Sequence, residues 1–160
     1  MSKLIMMMGV AGAGKSTWLR ENKCPEDVVV SRDAIRFEEL DEKGGEYFAH
    51  EDEVFRRFIA QIIGGLVAGE TVYADATHLN RKSRLKVISR VRKYATEMEV
   101  VWIKVPLETA IKQNEMRSGR AKVPADVISN MYKNIEKPDE TEGFTKLTIV
   151  ERGEEKVWYF

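Results

Sequence analysis

Apolar positions in this chain form short blocks, and amphipathic stretches separate them. Residues 3–8 predict a first strand, since Leu4 to Met8 is an unbroken apolar run suited to burial on both faces. Met6, Met7 and Met8 read as core filler. A helix follows to about Asn22, and Cys24-Pro25-Glu26-Asp27 marks a turn. The β-branched run 27–31 predicts strand two, and a short helix is expected from Ala34 to about Leu40. After the Gly44-Gly45 loop, a helix over 51–68 carries Val54, Phe55, Phe58, Ile59, Ile62, Ile63 and Leu66 on one stripe. Gly69 ends it. Thr71 to Ala74 is strand three, closed by Asp75. A loop then reaches Asn80, a helix cap by residue type. The helix 81–95 turns Leu85, Ile88 and Val91 inward. Strand four spans 99–105, Pro106 opens a helix to about Met116, and Pro124 opens another to about Ile135. Strand five is 147–150, and 157–160 form a terminal antiparallel strand after Gly153.

Strands alternating with helices predict an α/β fold: a five-stranded, mainly parallel sheet with helices on both faces, in one domain over 1–160. Such sheets bind ligands outside the carboxyl ends of their strands. Four loops of this chain fall there: 9–17, 31–33, 75–77 and a lid near 117–124.

The first of these loops is the most specific. Gly9-Val10-Ala11-Gly12-Ala13-Gly14-Lys15-Ser16-Thr17 reads G-x-x-x-x-G-K-S, the phosphate-binding P-loop, between a strand and a helix. Glycines let the backbone approach phosphate oxygens and point N–H groups at them. Lys15 supplies a cation for the β- and γ-phosphates, and the Ser16 hydroxyl is an Mg²⁺ ligand. The motif by itself predicts a nucleoside triphosphate bound through its phosphates, with Mg²⁺; together with the transfer residues of the other loops, it predicts a P-loop kinase fold that uses ATP.

Composition narrows the setting. Hydrophobic residues at 43% and charged residues at 32% suit a globular chain, and no apolar run is long enough to span a membrane. The single cysteine, Cys24, allows no internal disulfide and fits a reducing cytoplasm. Two histidines and one cysteine make a structural zinc site improbable, and His50, His78 and Cys24 receive no chemical role. Lys plus Arg equals Asp plus Glu at 26 each, so net charge selects no partner. Its distribution is uneven. Glu38 to Glu53 is acid-rich, whereas Arg81 to Lys93 holds seven bases and no acid. That helix is either a solvated face or a guide for a nucleic-acid backbone. Oligomeric state is left open.

The other loops supply the rest of a transfer site. Asp33 after strand two can orient an acceptor hydroxyl and take its proton. Arg36, one helical turn on, can grip an anionic acceptor group. Asp75, at the end of strand three, suits an Mg²⁺-serving carboxylate, and Thr77 adds a hydroxyl. Arg117 and Arg120, in a glycine-containing connector, can close on the transferring phosphoryl group. The bland readings are a helix cap for Asp33, a turn residue for Asp75 and a solvated loop for the arginines.

Together these segments resemble the kinase domain of the polynucleotide 5′-hydroxyl kinases, including the bacteriophage end-healing enzymes. The carrying residues are Gly9–Thr17 with Trp18, Ser31-Arg32-Asp33-Ala34-Ile35-Arg36, Asp75-Ala76-Thr77-His78-Leu79-Asn80 and Arg117 to Pro124. The resemblance implies transfer of the γ-phosphate of ATP to the 5′-OH of DNA or RNA, in a cytoplasmic, phage-type setting. It makes Asp33 the general base, and Arg36 a contact to a phosphate of the acceptor strand. Arg32 and Thr77 join the acceptor site. Lys15, Arg117 and Arg120 act on the transferring group, and Ser16 and Asp75 serve the metal. This chain is too short to carry the 3′-phosphatase that some relatives fuse to this domain. Two other readings stay open: a P-loop kinase of a small molecule such as a nucleoside, sugar or antibiotic, and a nucleotide-binding regulator without transfer.

Overall fold

The computed structural model describes residues 2–119 and 122–160. The elements run β1 (Lys3–Met8), α1 (Lys15–Asn22), β2 (Val28–Ser31), α2 (Arg32–Lys43), α3 (Glu51–Val67), β3 (Thr71–Asp75) and α4 (Arg81–Val91). They continue with β4 (Glu97–Ile103), α5 (Leu107–Glu115), α6 (Ala125–Lys133), β5 (Lys146–Glu151) and β6 (Glu154–Tyr159). Short 3₁₀ turns occupy Arg92–Tyr94 and Glu140–Glu142.

One sheet holds all these strands in the order β2-β3-β1-β4-β5-β6. The first five run parallel, and β6 turns back antiparallel on β5, pairing Leu147 with Trp158. The sheet thus holds the five parallel strands expected, and the terminal antiparallel strand anticipated after Gly153 adds a sixth.

Alternation along β1 sorts the core onto two faces. Leu4, Met6 and Met8 meet α3 and α4 through Phe58, Ile62, Leu66, Val87 and Ile88. Ile5 and Met7 face α1, α5 and α6 through Leu19, Ala110 and Ile128. Met6, Met7 and Met8 are fully buried, as their reading as core filler expects. Truncating Phe58, also fully buried, would cost about 3–5 kcal/mol.

Several boundaries differ from the sequence reading. Helix α2 begins at Arg32 and runs to Lys43. The Ser31 side chain accepts from the Ala34 N–H, and Gly44 closes the far end. Arg32 and Asp33 thus stand on a helical first turn, not on a strand's tail. Strand β4 lies two residues earlier than expected, because α4 stops at Val91 and a 3₁₀ turn shortens the connection.

Helix α4 also departs from its expected faces. Arg84 is fully buried, while Leu85 is only partly so. Arg84 Nε donates to Glu142 Oε1 at 2.6 Å, and its Nη1 donates to the His78 carbonyl at 2.9 Å. Arg81 reaches Thr141 Oγ1 at 2.7 Å. Two of the seven bases read as a solvated or nucleic-acid-facing surface are therefore committed to holding the chain together.

Candidate active site

The carboxyl ends of β1, β2 and β3 open into one crevice of about 470 Å³. Ala11, Gly12, Gly14, Lys15, Ser16 and Thr17 line one side. Arg32, Asp33, Arg36, Asp75, Thr77 and Arg117 line the rest. Val10 and Ala13 are buried instead beneath the loop, and Gly9 N–H donates to the Thr77 carbonyl at 3.0 Å. The expectation for Arg120 falls outside the described residues.

The loop's shape follows from what it packs against. Gly12 has φ +82°, and a Cβ there would meet the Ala110 carbonyl oxygen of α5 at 2.4 Å. Conformation and space both demand glycine. Gly14 adopts φ 104° and caps α1, so the unpaired N–H groups of that helix's first turn meet the crevice. Lys15 Nζ donates to the Gly9 and Val10 carbonyls at 2.9 and 3.1 Å. Burial lowers the Lys15 pKa, against the attraction of Asp75 and Asp33. Burial likewise raises the Asp75 carboxyl, against Lys15. A half-desolvated cation and carboxylate lie near a helix N-terminus. Such a set fits the phosphates of a nucleotide, and the oxygen donors of Ser16 and Asp75 fit a hard divalent cation.

Across from the loop, Asp33 Oδ1 takes the Arg36 guanidinium and the Tyr47 hydroxyl, the latter at 2.9 Å. Both contacts fall on Oδ1, so Oδ2 has no partner among the described residues. The Asp33 side chain is 54% exposed, open to an incoming group. Burial, then the nearby Asp33 charge, pushes the Tyr47 phenol up to about 12, so Tyr47 stays a donor. Arg36 is mostly buried and forms a fork on Glu51, with Nε to Oε2 at 2.8 Å and Nη2 to Oε1 at 2.7 Å. Burial opposes both charges, yet their pairing raises Arg36 above its ordinary value and holds Glu51 below. Arg32 shares the same carboxylate at 3.5 Å, while its Nε is buried without a hydrogen-bond partner.

Sequence reasoning missed three residues here. Tyr47 sits in a loop with no motif, and nothing local signals its reach to Asp33. Glu51 belonged to an acid-rich run that read as surface. His78, assigned no chemistry, is buried beside the crevice in a left-handed conformation, φ 46°. Its Nδ1 lies 2.7 Å from the Met7 carbonyl, which can only accept, so Nδ1 carries the proton.

Residues 4–138 match a family model described as an AAA domain. The chain belongs to this AAA-domain family. Its relatives within the fold differ in what they act on. L-seryl-tRNA(Sec) kinase of Methanococcus maripaludis is 25% identical over 146 residues, covering 84% of this chain and 53% of that protein. A structure of a Pnkp1/Rnl/Hen1 complex is 26% identical with a TM-score of 0.61, covering 69% of this chain and 38% of that one. A second, named as an RNA repair complex, has 21% identity and a TM-score of 0.69 over 83% and 43%. A gluconokinase from Sinorhizobium meliloti 1021 has 18% identity and a TM-score of 0.60 over 95% and 83%. This chain thus spans about half of the curated relative. The sheet and helices of the AAA-domain chain are those of P-loop kinases. Among the described residues no helix is long and apolar enough to cross a membrane.

Proposed function

We propose that this protein is an ATP-dependent kinase of polynucleotide 5′-hydroxyl ends. The observation that carries the reading is Asp33: a half-exposed carboxylate, held through one oxygen by Arg36 and Tyr47, across a crevice from a P-loop. A regulator that only binds nucleotide has no use for such a base. The loop amides and Lys15 hold the donor's β- and γ-phosphates. Mg²⁺ held at Ser16 and Asp75 would neutralise charge on those phosphates. Asp33 accepts the proton of the 5′-hydroxyl. That oxygen forms a bond to the γ-phosphorus as the bond to the β-phosphate's bridging oxygen breaks, and ADP leaves. Arg117 stabilises the charge on the transferring group. Arg32 and Thr77 position the acceptor. Arg36 contacts an acceptor phosphate only by sharing or trading its Glu51 fork. The relative named for a tRNA-borne serine supports an acceptor carried on nucleic acid.

The gluconokinase likeness favours a second reading, a small-molecule kinase, because this chain covers most of that protein. The filled Arg36–Glu51 fork agrees with an uncharged small acceptor such as a nucleoside or neutral sugar, which needs no free arginine. Label transfer from γ-labelled ATP separates the two. With DNA and RNA 5′-OH oligonucleotides, a nucleoside and gluconate as acceptors, we expect label on the oligonucleotides. Label only on a small acceptor gives the second reading, and no transfer to any oligonucleotide end removes the first.

A further inference from the structure

Outside the crevice, three cations converge on one aromatic ring. Phe55, like Ile63, is a member of the α3 stripe that is only partly buried. Lys86 Nζ lies 4.3 Å from its ring centroid, Arg90 Cζ 5.2 Å and Arg32 Cζ 5.4 Å. The three positive groups therefore sit within about one Debye length of each other, ~10 Å at 0.1 M salt. The ring's face attracts each of them. It does not remove their mutual repulsion. Two other bases of α4 are paired, Arg81 with Asp139 and Arg84 with Glu142. Lys86 and Arg90 are exposed and have no ion pair among the described residues. Arg90 Nη1 also donates to the Lys86 carbonyl at 2.7 Å. Arg32 is the link inward, because it also lines the crevice, 3.5 Å from Glu51. A line of positive charge thus runs from the base Asp33, over Phe55, onto the outer face of α4.

We infer that Arg32, Lys86 and Arg90 around Phe55 form a docking track for the phosphodiester backbone of a single-stranded acceptor, beyond its 5′-terminal nucleotide. The inference rests on the polynucleotide reading above and deepens it. It makes the preferred substrate a strand of several nucleotides rather than a mononucleotide. The track carries no base-reading group, so it grips backbone without choosing sequence. Arginine and lysine at its outer end are solvated and free to release counterions when phosphates arrive.

The test is steady-state kinetics of the double variant Lys86→Ala/Arg90→Ala against wild type. Acceptors are a 5′-OH DNA decamer, a 5′-OH RNA decamer and a nucleoside 3′-monophosphate. We expect KM for the decamers to rise about tenfold in the variant, with kcat and KM for ATP unchanged. The slope of log(kcat/KM) against log[salt] should flatten by about 1.4, the value for two lost single-strand phosphate contacts. The mononucleotide should show no change. The charge-retaining variant Lys86→Arg/Arg90→Lys should behave as wild type. Equal decamer kinetics in wild type and double variant overturn the track. So does an equal loss on decamer and mononucleotide, which marks general damage. A wild-type protein that labels no 5′-OH acceptor removes the polynucleotide reading itself, an outcome visible before any variant is compared.

Discussion

At the scale of single residues, His78 and Asp33 make opposite uses of burial. The His78 imidazole is sealed from solvent, with its pKa driven down to about 4 by burial and only partly restored by the Met7 carbonyl. Its folded pKa lies below the unfolded value near 6.5, so the unfolded chain binds the extra proton first. Stability contributed by the neutral ring is complete above the unfolded pKa and drains as pH falls toward 4. Between pH 7 and 5 the loss is about 2 kcal/mol. Urea unfolding of wild type at those two pH values should show it. His78→Asn, which tolerates the left-handed backbone and can still donate to Met7, should flatten the dependence. Asp33 is instead half open, and its chemistry depends on charge rather than shape. Asp33→Asn should cut turnover by at least about a hundredfold, a typical loss for a general base. ADP binding, measured by calorimetry, should stay within about twofold. An active Asn variant would take the base role away from Asp33.

At the scale of elements, two contacts fix where the site's parts stand. The buried Arg84–Glu142 pair ties α4 to the 3₁₀ turn at Glu140–Glu142. Removing one partner leaves a stranded charge, so Arg84→Ala or Glu142→Ala should each cost about 3–5 kcal/mol in chemical denaturation. A double change to Met and Leu should recover much of that. The second contact is Gly12 against the start of α5. Gly12→Ala must push the loop off Ala110, and ADP affinity should fall tenfold or more by calorimetry.

The same elements show what the sequence could disclose. The P-loop, the strand ends and the long α3 stripe were all legible, because each is a local pattern with one physical meaning. Arg84 was not. A basic residue amid six others reads as surface, and only the distant Glu142 makes its burial tolerable. Tyr47 and Glu51 were hidden for the same reason. Their partners Asp33 and Arg36 are supplied by packing of α2 on α3, which periodicity cannot register. The start of α2 was missed more narrowly, by overlooking Ser31 as the cap.

At the scale of the whole molecule, the sheet divides the labour. One face carries α3 and α4 with the basic track; the other carries α1, α5 and α6 with the loop and Arg117. The crevice lies at their common edge, so a donor bound on one half meets an acceptor held by the other. Nucleotide binds the folded loop and not the unfolded chain, so it should stabilise the entire fold. ADP at one hundred times its Kd should add about 2.7 kcal/mol to unfolding free energy. Lys15→Met should abolish this gain in a thermal melt while the ligand-free melt stays close to wild type. A gain retained in the variant would show that binding does not depend on the loop cation.

Asn114 closes the connector that carries Arg117. It is buried, its Oδ1 accepts from the Val123 N–H at 3.0 Å, and its Nδ2 donates to the Val123 carbonyl at 2.6 Å. One side chain thus imitates a rung of sheet and clamps residues 114 and 123 together. The segment 115–122, which carries Arg117, begins and ends at that clamp. Its length is therefore uncoupled from the core: even doubling a closed segment costs only about 0.6 kcal/mol of closure entropy. Descendants of this chain can lengthen, shorten or rewrite this connector at little thermodynamic penalty. The connector can change while Asn114 keeps the rest of the fold in place.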